Sequence, residues 1–248
     1  VFEVHGKEEW RFGGVVWNAA ARVAHGLVFK SRRLAEAYKS PKPSVVTHCN
    51  GVDLDAYTNI STSRERLGLP ADIFLVMYAG SFLWYSMNTI IDMLSMTDAD
   101  TVLVIVGATP KDTEALVKRA KAGGVEGRVV IVPRVRPVQV PEYLSVADVL
   151  VNPFSVTYAG SISSKLYEYL AVGRPIVSSR GDSNTEILTD EENALIVDLE
   201  PSAFAQAISR LKKDNALAQK ISAGAKRDAV RYTWQKRGQV IADFLDTI

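Results

Sequence analysis

Residues Ser161–Ser178 read SISSKLYEYLAVGRPIVS. The serines at its beginning predict the start of a helix, and Gly173 followed by Pro175 is an ordinary helix stop. The run Ile176–Ser178 comes directly afterwards and has the β-branched character of a buried strand. A helix that stops on glycine and proline and leads at once into such a strand is typical of parallel α/β proteins.

The same alternation of strands and helices extends outward over most of the chain. Six short apolar strands with helical crossovers predict an α/β fold, a Rossmann-like doubly wound parallel sheet. We place these strands at Phe74–Ala79, Val102–Val106, Val129–Val132, Val149–Val151, Ile176–Ser178 and Ala194–Val197. An incomplete second Rossmann-like unit precedes them, with strands at Val1–Val4, Leu27–Phe29 and Ser44–Thr47.

We predict three parts in the chain. Residues 1–57 form the end of a first domain, residues 58–230 form the complete sheet domain, and residues 231–248 form a last helix that packs back toward the first domain. We expect the first half of that first domain to be absent from the chain. The apolar stripe predicted for the helix contact comprises Trp234, Val240, Ile241, Phe244 and Leu245.

Composition excludes several classes of protein. A hydrophobic content of 47% is enough for a sizeable core, and a net charge of +1 offers no electrostatic footprint for nucleic acid. The single cysteine, Cys49, excludes an internal disulfide and a C-x-x-C zinc site. It also fits a reducing compartment, so we expect a cytoplasmic protein, with possible peripheral contact to the inner face of the membrane.

Common nucleotide and hydrolase motifs are absent from the sequence. It contains no G-x-G-x-x-G, no P-loop and no G-x-S-x-G nucleophile elbow. Asp98-Ala99-Asp100 has the form of a metal-binding D-x-D motif, but it precedes a strand, and ligands of open α/β sheets bind at the carboxyl ends. We therefore expect a polar loop there, and turn chemistry at Asp53 and Asp55.

The quoted stretch also suggests a binding site. Ser163 or Ser164 can cap the helix, whose free N–H groups attract an anion, and Lys165 adds a cation. Glu168 lies one turn deeper and can accept hydrogen bonds from hydroxyl groups. An anion together with a diol describes a nucleotide diphosphate sugar. The alternative is that Lys165 and Glu168 form a surface ion pair on an ordinary capped helix.

The segment Ser164–Val177, SKLYEYLAVGRPIV, resembles the donor-site helix of GT-B glycosyltransferases of the GT4 type. Other short segments resemble the same family in the same order along the chain. They are His5-Gly6, Gly26–Ser31, Asn50–Asp53, Tyr78–Ser81, Val104–Gly107, Pro141–Leu144 and Ala147–Pro153. Single tetrapeptides of this kind are weak signals, but their correct order is a strong one.

The resemblance implies a hexosyltransferase-like enzyme that moves a sugar from a nucleotide-sugar donor to an acceptor, usually with retention of configuration. It implies no cofactor and no metal, because preorganised donors can stabilise the diphosphate leaving group. The acceptor stays open between a glycan, a lipid-linked sugar and a small molecule. His5 is the catalytic candidate. The donor-binding candidates are Gly80, Ser81, Arg134, Gly160, Ser161, Ser163, Ser164, Lys165, Leu166 and Glu168.

Two departures from the family pattern keep alternatives open. The first glutamate of the family's pair is expected eight residues before Glu168, where this chain has Gly160. The family also commonly has an arginine after the glycine turn and a lysine a few residues on, where this chain has Ser81 and no cation. Lys165 can compensate, and main-chain N–H groups of Gly160 and Ser161 can contact the donor. The alternatives are a noncatalytic nucleotide-sugar-binding module and a GT-B-fold nucleotide-sugar epimerase.

Overall fold

The computed structural model describes residues 1–4, 19–38, 40–48, 50–155, 162–181 and 183–248. These residues form two parallel β-sheets flanked by helices, a three-stranded sheet in the order β1-β2-β3 and a six-stranded sheet in the order β6-β5-β4-β7-β8-β9. The predicted Rossmann-like α/β class is confirmed. The strands are β1 Phe2–Val4, β2 Leu27–Phe29, β3 Ser44–Val46, β4 Phe74–Ala79, β5 Thr101–Ala108, β6 Val129–Pro133, β7 Val149–Asn152, β8 Ile176–Ser179 and β9 Leu195–Val197.

Helices connect the strands, as right-handed parallel crossovers require. Residues 19–23 are helical, and the later helices are α1 Arg32–Tyr38, α2 Met87–Asp92, α3 Pro110–Ala122, α4 Val140–Ser145, α5 Lys165–Val172, α6 Pro201–Lys213, α7 Asn215–Ala229 and α8 Trp234–Leu245. Short 3-10 helices lie at Leu54–Tyr57, Glu65–Leu67, Met93–Met96, Glu126–Arg128, Pro137–Gln139 and Asn184–Glu186.

The six-stranded sheet is buried on both faces. Along β4, Val76 and Tyr78 pack into one apolar cluster, whereas Leu75 and Met77 pack into the cluster on the opposite face, as the period of two requires. All four side chains are fully buried. Each such burial contributes about 1.5–3 kcal/mol relative to exposure, which explains the continuous apolar run in the sequence.

The strand order places a topological switch point between β4 and β7. The chain winds outward to β6 on one side of β4 and to β9 on the other, so the crossovers diverge at this pair of neighbours. Ligands of doubly wound sheets bind outside the carboxyl ends of the strands at such a point. The ends that meet here are Ala79 in β4 and Asn152 in β7.

The connection between the two sheets runs beside the last part of the chain. The N–H of Val52 donates to the carbonyl of Tyr232 at 2.9 Å, and a Cβ at Gly51 would lie 2.6 Å from the nitrogen of Trp234. Only glycine therefore permits this close approach. Arg64 then anchors the connection to the sheet, because its guanidinium donates to Asp148 at 2.8 Å and to the carbonyl of Ile73 at 2.8 Å.

Helix α8 contacts the first unit in a different way from the predicted apolar stripe. Phe244 is buried against Gly26, but Trp234, Val240 and Leu245 are exposed. A polar contact takes the place of the stripe. Arg237 donates to the carbonyl of His48 at 2.9 Å and to the Glu3 carboxylate. The predicted stripe is therefore right for Phe244 and wrong for Trp234, Val240 and Leu245, because helical spacing does not say which apolar residues find a partner surface.

Candidate functional site

The site begins at the glycine turn that follows β4. Gly80 has φ +132° and Gly107, near the end of neighbouring β5, has φ +108°. A Cβ at Gly107 would lie 2.8 Å from the carbonyl oxygen of Gly80, so the two backbones approach more closely than any other residue would allow. Ser81 follows in an exposed position, and its carbonyl accepts the Tyr78 hydroxyl.

The loop after this turn is tied to the end of β7. The N–H of Ser86 donates to the carbonyl of Pro153 at 2.9 Å, and the N–H of Ser155 donates to the carbonyl of Trp84 at 3.0 Å. Tyr85 is thereby held over the switch point with 9% of its surface exposed. Both carboxyl-end segments of the switch point therefore have a defined conformation.

Lys165 is the first residue of α5, and its side chain contacts Tyr85 of this loop. Only 5% of its surface is exposed, and its Nζ lies 3.1 Å from the centroid of the Tyr85 ring and 4.8 Å from that of Tyr78. A Cβ at Gly80 would lie 3.0 Å from Lys165 Cε, so the lysine stem packs on the glycine turn. The surface ion pair considered from the sequence is wrong for this residue.

Burial lowers the pKa of Lys165 well below its usual range, and Glu168 opposes this shift. For Glu168 the direction is reversed, because burial raises the pKa of its carboxyl while the hydroxyl of Tyr57 and the charge of Lys165 act against the rise. The low local dielectric thus disfavours the charge on both groups. Each is a desolvated polar group at the same edge of the sheet, which is common where ligands bind.

Glu168 accepts a hydrogen bond from a residue that precedes the strands of the six-stranded sheet. The hydroxyl of Tyr57 donates to Glu168 Oε1 at 2.8 Å. Tyr57 ends the 3-10 helix Leu54–Tyr57, in the connection between the two sheets. The segment that joins the units therefore contacts the residue that the sequence marks for a diol.

Ser163 belongs to a buried hydrogen-bond network and does not cap the helix. Its Oγ donates to Asn152 Oδ1 at 2.8 Å and lies 2.9 Å from the Tyr85 hydroxyl. The N–H of Ser163 donates to Asn184 Oδ1 at 3.0 Å, and Asn152 Nδ2 donates to Ser178 Oγ at 2.8 Å. This network joins β7, β8 and the start of α5.

The predicted serine cap of α5 is wrong. Ser164 occupies the N-cap position with helical φ and ψ and makes no side-chain cap hydrogen bond, and it is exposed. The Ser163 hydroxyl instead bonds to Asn152 and to the Tyr85 hydroxyl, since a buried hydroxyl needs both a donor and an acceptor. Leu166, also predicted at the donor site, is fully buried in the core.

The remaining predicted residues divide into two groups. Arg134 is exposed beyond β6, two strands away from β4, and no contact in the described residues joins it to Lys165 or Glu168. The nearby Arg136 donates to Gln139 Oε1 at 3.3 Å on the surface. His5, Gly160 and Ser161 lie outside the described residues, so their roles stay predictions.

Other expectations concern metal sites and membrane spans. In the described ranges, no three His, Cys, Asp or Glu side chains come together in an arrangement that could hold a metal ion. Asp98 and Asp100 both pair with Lys212 at the amino end of β5, where the sequence predicts a polar loop. None of the helices in the described part of the chain is both long and apolar enough to cross a membrane.

Sequence reasoning missed the partners that hold the site together. Tyr57 is 111 residues from Glu168, and Tyr85 is 78 residues from Ser163. Asn184 has a further signal, since its Nδ2 is buried with no hydrogen-bond partner in the described residues. The carboxyl-end positions of Tyr85 and Asn152 are visible in the sequence, but their contacts depend on the tertiary fold.

Comparisons with known proteins show what the chain resembles. The profile of the family described as glycosyl transferases group 1 matches residues 74–214, more than half of the chain. A D-inositol 3-phosphate glycosyltransferase from Xylanimonas cellulosilytica is 28% identical over 206 residues, 78% of this chain and 49% of that protein. The lipopolysaccharide core biosynthesis glycosyltransferase LpsE from Rhizobium meliloti is 29% identical over 168 residues, 66% of this chain and 46% of that protein.

A solved structure shares the fold. The crystal structure of HepE from Anabaena in complex with UDP has a TM-score of 0.85 and 20% identity, over 99% of this chain and 71% of that chain. At this identity the likeness shows the fold alone, a GT-B-type pair of Rossmann-like units. The chain spans about half the length of the curated relatives it matches.

Proposed function

The chain belongs to the group 1 glycosyltransferases, and from this membership we propose that it works as a glycosyltransferase that takes a sugar from a nucleotide-sugar donor. The observation that carries the proposal is the position of Lys165. Its amine lies at the Gly80 turn, at the carboxyl ends of β4 and β7, where a doubly wound sheet binds its ligand. The chain matches only about half of each curated relative. The activity, substrates and partners of the whole protein therefore belong to this proposal.

We assign the donor's diphosphate to Lys165 and to the backbone N–H of Ser81, since the N–H of Gly80 already donates to the carbonyl of Val106 at 3.0 Å. A single cation in a water-poor site attracts a diphosphate more strongly than the same charge does in water. Ser164 leaves the first N–H groups of α5 without a side-chain acceptor, so the start of this helix adds positive potential on the same side. The UDP in the HepE complex supports a nucleoside diphosphate as the ligand class.

Glu168 is the proposed acceptor for the ribose hydroxyls. Its Oε1 is held by Tyr57 at 2.8 Å, which fixes the carboxylate and leaves its other oxygen for a hydroxyl of the donor. A carboxylate accepts several hydrogen bonds at once, so the two partners do not compete. Tyr57 therefore acts as a positioning residue.

The proposed reaction is a metal-independent transfer with retention of configuration. Positive charge from Lys165 and oriented N–H groups would stabilise the nucleoside diphosphate as it leaves, which is electrostatic preorganisation. The acceptor's class stays open among a glycan, a lipid-linked sugar and a small molecule, with its site in the first unit. His5 and the main chain of Gly160 and Ser161 remain proposed contacts of the sugar.

Product analysis with radiolabelled UDP-glucose and other nucleotide sugars tests the function. Transfer to a glycan or lipid acceptor, or slow transfer to water, is the expected result, and it should persist in EDTA. Binding without turnover would instead support a noncatalytic module, and an epimerised donor would support an epimerase. Lys165→Met should abolish turnover, whereas Lys212→Gln, at the amino end of the sheet, should not.

A further inference from the structure

Lys165 has an unusual environment for a phosphate-binding lysine. Its Nζ lies 3.1 Å from the centroid of the Tyr85 ring and 4.8 Å from that of the Tyr78 ring, and only 5% of the residue's surface is exposed. No hydrogen bond or ion pair to Nζ occurs among the described residues. The chain's Lys212 provides the contrast, since its Nζ pairs with two aspartates, Asp98 at 3.1 Å and Asp100 at a shorter distance.

Such surroundings are unfavourable for an ammonium ion. Desolvation of a charged amine costs several kcal/mol unless a carboxylate and further hydrogen bonds compensate, whereas a cation–π contact returns about 0.5–2 kcal/mol. The rings therefore offset only part of the cost. A neutral amine loses little in the same place, and burial accordingly lowers the pKa of Lys165.

A titratable group that faces the amine could restore its charge by acting as a counter-ion. Among the described residues, Glu168 on the same helix is the one acidic group that acts on Lys165, and its carboxylate does not come within ion-pair distance of the amine. The tyrosine hydroxyls of the site are not anions, since burial raises the pKa of Tyr85 to about 12 and raises that of the others further. Those others are Tyr78, Tyr169 and Tyr57.

We infer that the Lys165 amine is uncharged in the empty site and takes up one proton from solvent when the donor's diphosphate binds. The inference rests on the proposed function, because it needs a diphosphate at the Gly80 turn. The arriving anion supplies the counter-charge that the tyrosine rings do not, so the amine becomes an ammonium ion at the moment of binding. No covalent bond changes, and the only exchange is R–NH2 plus H+ giving R–NH3+.

Isothermal titration calorimetry measures this proton directly. UDP, GDP, ADP and dTDP are titrated into the protein at pH 8 in buffers of different ionisation enthalpy, and the tightest ligand is then used. The terminal phosphate has a pKa of about 6 and is already ionised at pH 8, so it adds no proton. We expect about one proton taken up per ligand bound. Affinity should fall up to tenfold per unit as the pH is raised further.

Variants assign the proton to Lys165. In Tyr85→Phe the ring remains and the uptake should remain. In Tyr85→Leu the amine gains access to water and is charged before binding, so uptake should fall toward zero while binding persists. Lys212→Gln is the matched control and should keep full uptake. Each variant is first checked for native circular dichroism and a cooperative thermal transition.

The outcomes separate the two proposals. Tight binding with no proton uptake in the wild-type protein overturns the inference and leaves the function standing. Uptake that is the same in Tyr85→Leu as in the wild type also overturns it. No binding of any of the four nucleoside diphosphates contradicts the proposed function, and the inference with it.

Discussion

At the scale of single residues, the site places two groups of opposite type in an environment that suits neither charge. Burial lowers the pKa of Lys165 and raises that of Glu168. Apart from the influence of each on the other, the groups in direct contact with them are neutral, namely the Tyr85 ring and the Tyr57 hydroxyl. The charged forms of both groups are therefore only partly compensated in the protein alone, and a polar, anionic ligand can supply the remaining interactions.

Loss of the Glu168 carboxylate should weaken nucleotide binding. We expect Glu168→Ala to reduce the affinity for the tightest-binding nucleoside diphosphate by about 1–3 kcal/mol, the value of charge-assisted hydrogen bonds to hydroxyls. Calorimetry on the folded variant measures the change. Glu126→Ala, exposed at the opposite edge of the sheet, serves as the control, and equal affinities for both variants would contradict the assignment of Glu168.

Replacement of Lys165 by an apolar residue should stabilise the empty protein. Lys165→Met keeps the length of the side chain and removes the buried amine, so the free energy of unfolding near pH 7 should rise by about 1 kcal/mol or more. The advantage should shrink as the pH rises toward 10.5, the ordinary lysine value. The reason is that the unfolded chain then gives up the proton that folded Lys165 already lacks.

Urea unfolding of both proteins between pH 7 and pH 10 checks this dependence. The wild-type free energy of unfolding should increase with pH relative to that of the variant, by at most about 1.4 kcal/mol per unit for one proton. A difference that stays constant over this range would show that Lys165 titrates normally in the folded protein.

At the scale of elements, buried amide groups fix the start of α5 relative to the sheet. Asn184, in the 3-10 helix Asn184–Glu186, accepts the N–H of Ser163, and Asn152 in β7 accepts its hydroxyl. The position of Lys165 therefore depends on hydrogen bonds from two other elements. A satisfied buried network of this kind makes the start of the helix rigid relative to the sheet.

Asn184→Ala should loosen this junction. The N–H of Ser163 would be left buried without an acceptor, which costs about 1–3 kcal/mol of stability. Nucleotide affinity should fall as well, since α5 carries both proposed donor-binding side chains. Thr189→Ala, at an exposed position shortly after this 3-10 helix, should change neither quantity. Thermal unfolding together with calorimetry provides both readouts, and an unaltered melting temperature would rule the anchor out.

Gly107→Ala should disturb the glycine turn from the neighbouring strand. The φ of +108° strains any other residue, and the added Cβ would meet the carbonyl of Gly80 at 2.8 Å. We expect a loss of about 1–3 kcal/mol in the free energy of unfolding. Gly127→Ala is the control, because a Cβ there meets nothing within 4 Å. If both substitutions had equal effects on denaturant unfolding, the close approach of the two backbones would make no contribution to the free energy of unfolding.

At the scale of the whole molecule, polar contacts join the two units. The Glu186 carboxylate accepts the N–H groups of Arg32 at 2.8 Å and Arg33 at 3.2 Å, at the start of α1. On α8, Arg237 donates to the carbonyl of His48 and to Glu3. These few partly exposed hydrogen bonds can break and re-form at modest cost, whereas the large apolar clusters of the second unit cannot.

Arg237→Met should detach the first unit while sparing the donor site. Charge-assisted hydrogen bonds contribute about 1.5–3 kcal/mol, and the variant removes those of Arg237 to both residues of the first unit. We expect faster proteolysis of residues 1–48 and a change in nucleoside diphosphate affinity of less than about twofold. Lys236→Met, exposed on the same helix, should behave as the wild type. Unchanged proteolysis would mean that other contacts hold the units together.

The sequence by itself determined the parallel α/β class and the positions of most strands. β2 and β4 have the predicted bounds, and the others differ by one or two residues. These features depend on apolar runs, glycine stops and helical periodicity, all of which act within a few residues. Local signals at the start of a helix also marked Lys165 and Glu168, whereas the family resemblance marked Gly80.

Only the tertiary structure decided how those residues interact. The burial of Lys165 over Tyr85, the hydroxyl of Tyr57 on Glu168 and the network around Ser163 join positions from 11 to 111 residues apart. Local sequence signals do not encode such pairs, because desolvation and hydrogen bonding depend on which surfaces the strand order brings together. The predicted serine cap and the part of the apolar stripe at Trp234, Val240 and Leu245 were wrong for this reason, since packing at the switch point and at α8 overrode the local pattern.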